Sequence, residues 1–316
     1  SNLGLELVRA TEAAALAAGQ WIGLGSPLEA DQAATQAMEA VLASIDIDGS
    51  IVLGEEEKPE HDLPLASQRR VGSGLGPSVD VVVDPIDGRM QLAKGHPGAI
   101  SVIAVAPRNA IWRPPHAVYM EKIIVDAQVA PYLVEDCLDA PAAWTLSLVA
   151  RAKGMKVNNL TVFVLDRPRH ADLINEIRAA GAHAILHQDG DVVGALMVCT
   201  PRSGVDLLMG TGGVPEGLLA ACSIKAMGGA LIGRLNPQSE AERRAIEESG
   251  CDVRSILRSQ DLVKSEQVFF AATGITAGSL LKGVIFHGDK AETNSLILRS
   301  ETRTRRLVFA EHLVEK

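Results

Sequence analysis

Val79-Asp80-Val81-Val82-Val83-Asp84-Pro85-Ile86-Asp87-Gly88 is the stretch on which the reading of this chain turns. A β-branched run of this kind predicts a buried strand. The run ends at Asp84, turns at Pro85 and offers a second carboxylate at Asp87. Pro85 removes a backbone donor and fixes φ, while Gly88 permits a tight exit. Two carboxylates on one small turn suit a hard divalent cation such as Mg²⁺ or Mn²⁺, which needs clustered oxygen ligands. An Asx or proline turn that merely ends a strand is the plainer reading of the same residues.

A second acidic element, Gly54-Glu55-Glu56-Glu57, follows a predicted short strand over 50–54. Acidic runs are commonly solvated surface, but Glu55 sits at a strand end, as Asp84 does. Two adjacent strand ends would bring Glu55, Asp84 and Asp87 to one edge of a sheet, where open α/β folds bind ligands. Three close carboxylates repel unless a cation neutralises them. The cluster therefore predicts a metal site rather than a bare acid–base pair.

The surrounding pattern is α/β. A helix is predicted over 3–21, which is rich in Ala and Leu with few breakers, and another over 29–44, where apolar residues recur at helical spacing. A polar loop rich in Gly and Pro spans 57–78, and a further apolar strand is predicted over 99–106. The signal over 130–155 is weak, and a soft boundary near 155 divides a metal-binding lobe (1–155) from a sugar-phosphate-binding lobe (156–316). Strands are then expected over 160–165, 182–186 and 205–209, with helices over 169–180 and 215–227. Closing strands are expected over 295–299 and 306–310.

Composition removes several classes of function. The chain has 316 residues, 47% hydrophobic and 22% charged, which suits a folded globular protein. A net charge of -9 and an aromatic content of 3% argue against a nucleic-acid partner. No long apolar run suggests a membrane span, and the four scattered cysteines suggest reduced thiols, so a cytoplasmic protein is expected. Gly72-Ser73-Gly74-Leu75-Gly76 lies before a strand rather than after one, which disfavours dinucleotide binding.

The Gly-Glu-Glu element followed by Asp-Pro-Ile-Asp-Gly resembles the lithium-sensitive, metal-dependent phosphomonoesterase superfamily. Within it, the chain is most similar to the class II fructose-1,6-bisphosphatases of bacteria. Family-like segments recur in order, among them Ala30-Asp31-Gln32-Ala33-Ala34, Tyr119-Met120-Glu121-Lys122, Arg167-Pro168-Arg169-His170, Asp189-Gly190-Asp191-Val192 and Gly212-Gly213-Val214-Pro215-Glu216-Gly217. The resemblance implies a layered α-β-α-β-α sugar-phosphatase fold with mixed sheets and two intimate lobes. It also implies hydrolysis of the 1-phosphate of fructose 1,6-bisphosphate, a step of gluconeogenesis, with Mn²⁺ or Mg²⁺ and in a homo-oligomer. By the same resemblance Asp31, Glu55, Asp84, Asp87 and Glu216 ligate metal, and Glu55, Asp84 and Asp87 are catalytic. Substrate contacts fall to Asp87, Gly88, Arg89, Tyr119, Arg167, Pro168, Arg169, Asp189, Gly190, Asp191 and Gly213. These roles are chemically sound, since arginines bind phosphate through charge-assisted bonds and the aspartates can accept from sugar hydroxyls. His170 reads as a supporting residue rather than a catalytic one.

The family pattern continues Asp-Pro-Ile-Glu-Gly-Thr-Arg, and here the chain departs from it. Asp87 shortens the Glu by one methylene, a choice the wider superfamily also makes. Arg89 replaces the Thr whose hydroxyl orients the attacking water, and an arginine cannot accept a proton. Gly25-Ser26-Pro27-Leu28-Glu29 replaces a basic, polar run, and Glu55-Glu56-Glu57 replaces Glu-Gly-Glu. Two alternatives follow: a related sugar or inositol phosphate phosphatase, or a catalytically impaired paralogue that binds phosphosugar.

Overall fold

The computed structural model describes residues 2–53, 65–114 and 116–314. The chain divides into two compact units, Ser1–Ile111 with Ser265–Lys316, and Trp112–Lys264. This partition differs from a single boundary near 155, because one strand of the C-terminal segment hydrogen-bonds to a strand that precedes residue 112.

The first unit begins with two helices, α1 (Leu3–Gly19) and α2 (Pro27–Leu42). Pro27 opens α2 at the position where a missing N–H costs nothing and a fixed φ helps. There follow β1 (Asp48–Ile51), β2 (Arg70–Val71), β3 (Ser78–Asp87), the short α3 (Arg89–Ala93) and β4 (Ile100–Pro107). The chain then builds the second unit. Its first elements are β5 (Tyr119–Val125), α4 (Ala142–Lys153), β6 (Thr161–Leu165), α5 (Ala171–Ala179) and β7 (His183–His187). After these come α6 (Asp191–Cys199), β8 (Leu207–Gly213) and α7 (Val214–Met227). The unit closes with β9 (Ala230–Leu235), α8 (Glu240–Glu248), β10 (Leu257–Arg258) and α9 (Ser259–Leu262). The chain returns to the first unit as β11 (Phe269–Gly274), β12 (Ile285–His287), β13 (Lys290–Arg299) and β14 (Thr304–Leu313).

The fold is mixed α/β, with one mixed sheet in each unit. Among the described residues the first sheet runs β12-β13-β11-β4-β3-β1-β2, with β14 along the other side of β13. Only β1 and β3 pair in parallel there. The second runs β10-β9-β5-β8-β6-β7, with β6 parallel to both β7 and β8. In the first unit α1 and α2 cover a sheet face formed by Ile51, Val81, Val83, Ile103, Ala271 and Ile297. In the second, α4 and α5 pack on Ile123, Val162, Val164 and Met209, while α6 and α7 lie against the opposite face, on Phe163 and Met120.

Most expected elements are present, and the differences have local causes. β3 does not stop at Pro85. It continues to Asp87 through an irregularity in which Asp84 faces Val102 and Asp87 faces Ile100, an extra residue on the β3 side. Proline is compatible with a strand at such a bulge, where no ladder donor is needed. β8 likewise continues through the glycine-rich run to Gly213. Within the weak stretch over 130–155 lies α4, whose Leu146 and Val149 are fully buried. Of the predicted polar loop, residues 57–64 lie outside the described residues, and the remainder contains β2, antiparallel to β1.

Among the described residues no helix is long and apolar enough to cross a membrane. The four cysteines are unpaired, and burial pushes the Cys199 and Cys222 thiols up to about 12, which leaves them unreactive.

Met38 is fully buried between α2 and the first sheet. Met38→Ala is expected to destabilise the chain by about 2–5 kcal/mol through lost apolar contact and a residual cavity. Chemical denaturation monitored by near-UV circular dichroism checks this; a midpoint unchanged from the parent chain would contradict the core assignment.

Candidate functional site

In each unit several of the predicted residues lie at the carboxyl ends of parallel strands. In the first unit β1 and β3 run in parallel, so both point their carboxyl ends the same way. Asp84 and Asp87 sit at that end of β3, on the bulge. The Asp84 carboxylate accepts the Ile86 N–H at 3.1 Å, which ties the side chain back onto its own turn. Asp87 is only 2% exposed. Gly88 caps α3 in the left-handed region at φ 101, and a Cβ there would stand 3.2 Å from the Ala99 Cα. The tight exit predicted for this glycine is therefore a steric requirement.

Arg89, the first residue of α3, reaches across to α2 and donates to the Asp31 carboxylate at 3.5 Å. The arginine that departs from the family pattern thus meets one of the carboxylates predicted to hold metal. Glu55 lies outside the described residues. Among the described residues no three carboxylate, histidine or cysteine side chains stand together at metal-binding spacing. All the predicted ligands are nonetheless oxygen donors, as a hard cation requires.

In the second unit β6, β7 and β8 are parallel, and β5 pairs antiparallel to β8 with Tyr119 opposite Gly213. The residues after β6 (Arg167, Pro168, Arg169), those after β7 (Asp189, Gly190, Asp191), the end of β8 (Gly213), the first turn of α7 (Glu216) and the start of β5 (Tyr119) all fall at this edge. Arg169 is held by two bonds to the Thr211 carbonyl, from Nε at 3.1 Å and Nη2 at 2.9 Å, with its guanidinium 5.3 Å from the Tyr119 ring centre.

His170 braces this arrangement. Its Nε2 accepts the Thr211 N–H at 2.8 Å, so in the neutral ring Nδ1 carries the proton and donates to the Leu165 carbonyl at 2.8 Å. Burial lowers the His170 pKa, with the adjacent Arg169 acting in the same direction, which favours that neutral tautomer. The expected supporting role agrees with these contacts.

Two carboxylates occupy space that only glycine leaves open. A Cβ on Gly212 would fall 1.7 Å from the Asp191 Oδ2, and one on Gly213 would fall 1.8 Å from the Glu216 Oε2. The glycine-rich end of β8 is therefore a seat for acids on α6 and α7. Asp191 is neutralised by Lys122, whose Nζ donates to its Oδ2 at 2.5 Å, with the two side chains 0% and 5% exposed. Glu216 lacks such a partner among the described residues: its Oε2 is buried without a hydrogen bond. Burial, together with the Asp191 and Asp189 charges, raises its pKa to about 7.

Lys122 is the residue that sequence reasoning missed. A signal exists, because a lysine inside the apolar run Met120-Glu121-Lys122-Ile123-Ile124 is rarely buried unless it is paired. Gly212 was also passed over, and Thr211 cannot be found from sequence, since its contribution is its backbone.

The chain matches the family described as bacterial fructose-1,6-bisphosphatase, glpX-encoded, over residues 1–312. It is 39% identical to a protein of Haemophilus influenzae named fructose-1,6-bisphosphatase class 2, over 99% of this chain and 96% of that one. It is 38% identical to fructose-1,6-bisphosphatase 1 class 2 of Escherichia coli K12, over 100% of this chain and 96% of that one.

Lys122→Met leaves Asp191 buried and uncompensated, and is expected to cost about 3–5 kcal/mol of stability. Pairing it with Asp191→Leu should recover much of that loss, and equal melting temperatures for the single and double variants would refute the pairing. His170 supplies a pH test. Its folded pKa lies below its unfolded value of 6.5, so its contribution is fully present above about pH 6.5 and declines as pH falls through the folded value. The parent chain should therefore lose stability on acidification from that point more steeply than His170→Gln, as read from denaturation midpoints across pH.

Proposed function

The chain belongs to the bacterial class II fructose-1,6-bisphosphatase family, and on that premise we propose that it hydrolyses the 1-phosphate of fructose 1,6-bisphosphate to fructose 6-phosphate and phosphate with a divalent metal, Mn²⁺ or Mg²⁺. The observation that carries this reading is the family match across residues 1–312, which takes in every residue assigned a role.

Asp31, Glu55, Asp84, Asp87 and Glu216 would hold the metal. The buried Glu216 Oε2, without a hydrogen bond among the described residues, is an atom that a cation would satisfy, and the Asp84-Pro85-Ile86-Asp87 turn offers two carboxylates from one short segment. When bound, the metal supplies a water of lowered pKa and a Lewis acid for the phosphoryl oxygens. The chain itself supplies position and charge, which do most of the work of phosphoryl transfer. Arg169, locked by Thr211 and Tyr119, directs the rest of its fixed donor fork toward a phosphate. Asp189 and Asp191 accept from sugar hydroxyls, with Lys122 setting the Asp191 carboxylate in place.

Arg89 favours a second reading. A guanidinium 3.5 Å from Asp31 offers that carboxylate a positive charge in competition with a metal ion, and it supplies no hydroxyl to orient water. This supports a slower enzyme, or a paralogue that binds phosphosugar without turning it over.

Phosphate release from fructose 1,6-bisphosphate in Mn²⁺ or Mg²⁺ should be measurable for the unaltered chain and abolished by chelator. Arg89→Thr is expected to raise kcat on the order of 10²-fold, the typical worth of a positioned proton acceptor. Turnover confined to Arg89→Thr would favour the phosphosugar-binding reading. Silence from both proteins with this substrate, alongside turnover of another sugar or inositol phosphate, would overturn the substrate assignment.

A further inference from the structure

The other edge of the first sheet is unusual for what it leaves open. β14 spans ten residues, Thr304-Arg305-Arg306-Leu307-Val308-Phe309-Ala310-Glu311-His312-Leu313, and among the described residues pairs only with β13. Its even-numbered side chains turn toward α1: Val308 packs against the core there, and His312 shares Thr293 with Glu12 of α1. Its odd-numbered side chains face outward. Leu307 is 60% exposed, Phe309 60% and Leu313 80%, and Ile285 of β12 adds a fourth apolar side chain on the same sheet face at 42%.

Sheet edges are normally protected by proline, lysine, a bulge or short length, because unpaired backbone groups template further pairing. β14 has none of these four, and its outward charges, Arg305 and Glu311, are of opposite sign, Glu311 also accepting from Lys290 of β13 at 2.7 Å. Its register with β13 is unbroken for ten pairs, and it contains neither proline nor lysine. Val314 donates its N–H to the Asp289 carbonyl at 2.8 Å, which puts the even-numbered backbone groups on the β13 side. By alternation, the N–H and C=O groups of Arg305, Leu307, Phe309 and Glu311 point out from the edge.

We infer that β14 is a self-pairing edge, and that its occupant is β14 of a second copy of this chain, antiparallel across a two-fold axis at Val308. The sequence is complementary to itself in that register. Arg305 stands opposite Glu311 of the second copy, and Leu307 opposite Phe309 of the second copy. The two-fold repeats both pairs, giving two opposite-charge contacts and two apolar ones on a single face. These four positions are also the ones whose backbone groups point outward, so the side-chain match and the hydrogen-bonded register coincide. Directly opposed charged pairs and apolar–aromatic pairs are the units that stabilise antiparallel sheets. An isologous contact of this kind closes on itself and removes the exposed edge.

Charge swapping tests the register as well as the surface. In sedimentation velocity over a dilution series, Arg305→Glu and Glu311→Arg should each raise the dissociation constant of the pair by about tenfold or more, since each places two like charges opposite each other. Mixing these two single variants restores both opposite-charge contacts, and so does the double variant, so association should return in both cases. Val308→Cys should form an intermolecular disulfide on oxidation, and Arg305→Glu should suppress it. Unchanged circular dichroism and melting temperature separate dissociation from unfolding. A chain that stays monomeric throughout the series would overturn the inference and leave the edge to a strand from a different protein. An assembly unaffected by Arg305→Glu or Phe309→Glu, or one not rescued by mixing, would overturn it as well.

Discussion

The Lys122–Asp191 contact determines how the second unit is built. Two opposite charges 2.5 Å apart and shut off from water demand an exact fit, because each charge alone would carry a desolvation penalty of several kcal/mol. Lys122 comes from the middle of β5, so β5 must lie beside β8, and the Asp191 carboxylate must cross the end of β8 to reach it. That crossing is open only because Gly212 has no side chain. The same lack of side chain at Gly213 admits Glu216. A short glycine run thus fixes where α6 and α7 begin relative to the sheet. Arg169 then docks on the Thr211 carbonyl, just before those glycines, with the Tyr119 ring against its guanidinium.

The first unit meets a similar demand differently. Its acids are placed by a bulge, which swings Asp84 and Asp87 off the regular alternation of β3 at its carboxyl end. Asp84 is turned back by the Ile86 N–H, and Gly88 lets α3 start at once. α3 brings Arg89 within reach of Asp31 on α2. Negative charge is thus concentrated in both units, answered by Lys122 in one and by Arg89 in part of the other. Among the described residues Glu216 has no hydrogen-bonded cation of this kind, and burial, with the Asp191 and Asp189 charges, raises its pKa to about 7.

How much of this was legible in the sequence depended on whether the signal was local. The Val79–Asp84 run, the two N-terminal helices and the alternation after residue 160 were read from periodicity, and the structure has those elements. Pro85 was read as a terminator because proline removes a donor; the strand passes through it because the bulge needs none there. β8 was cut short for a related reason, since glycine reads as a break when it is absorbing two carboxylates from other elements. α4 was missed because helix-favouring Ala142-Ala143-Trp144 follows two short 3₁₀ turns that blur the period. The joining of residues 265–316 to the first unit had no local signal at all: β11 pairs with β4 across a wide gap in sequence. The Lys122 pairing was hidden likewise, since Asp191 lies far along the chain, on a different element.

That long return carries a further consequence for the first unit. β11 enters between β4 and β13, so the strands added last in the chain do not extend the sheet beside β1 and β2, the half in which β3 carries Asp84 and Asp87. They extend it on the far side, ending in β14. The carboxyl end of β3 can therefore keep its bulge and the left-handed glycine, both of which weaken a sheet. The opposite edge is free to be long, regular and apolar, as a strand must be if it is to pair over its whole length. Separating the two requirements across the width of one sheet lets Arg89 change without disturbing β14, and lets the outer edge vary without touching Asp84 or Asp87.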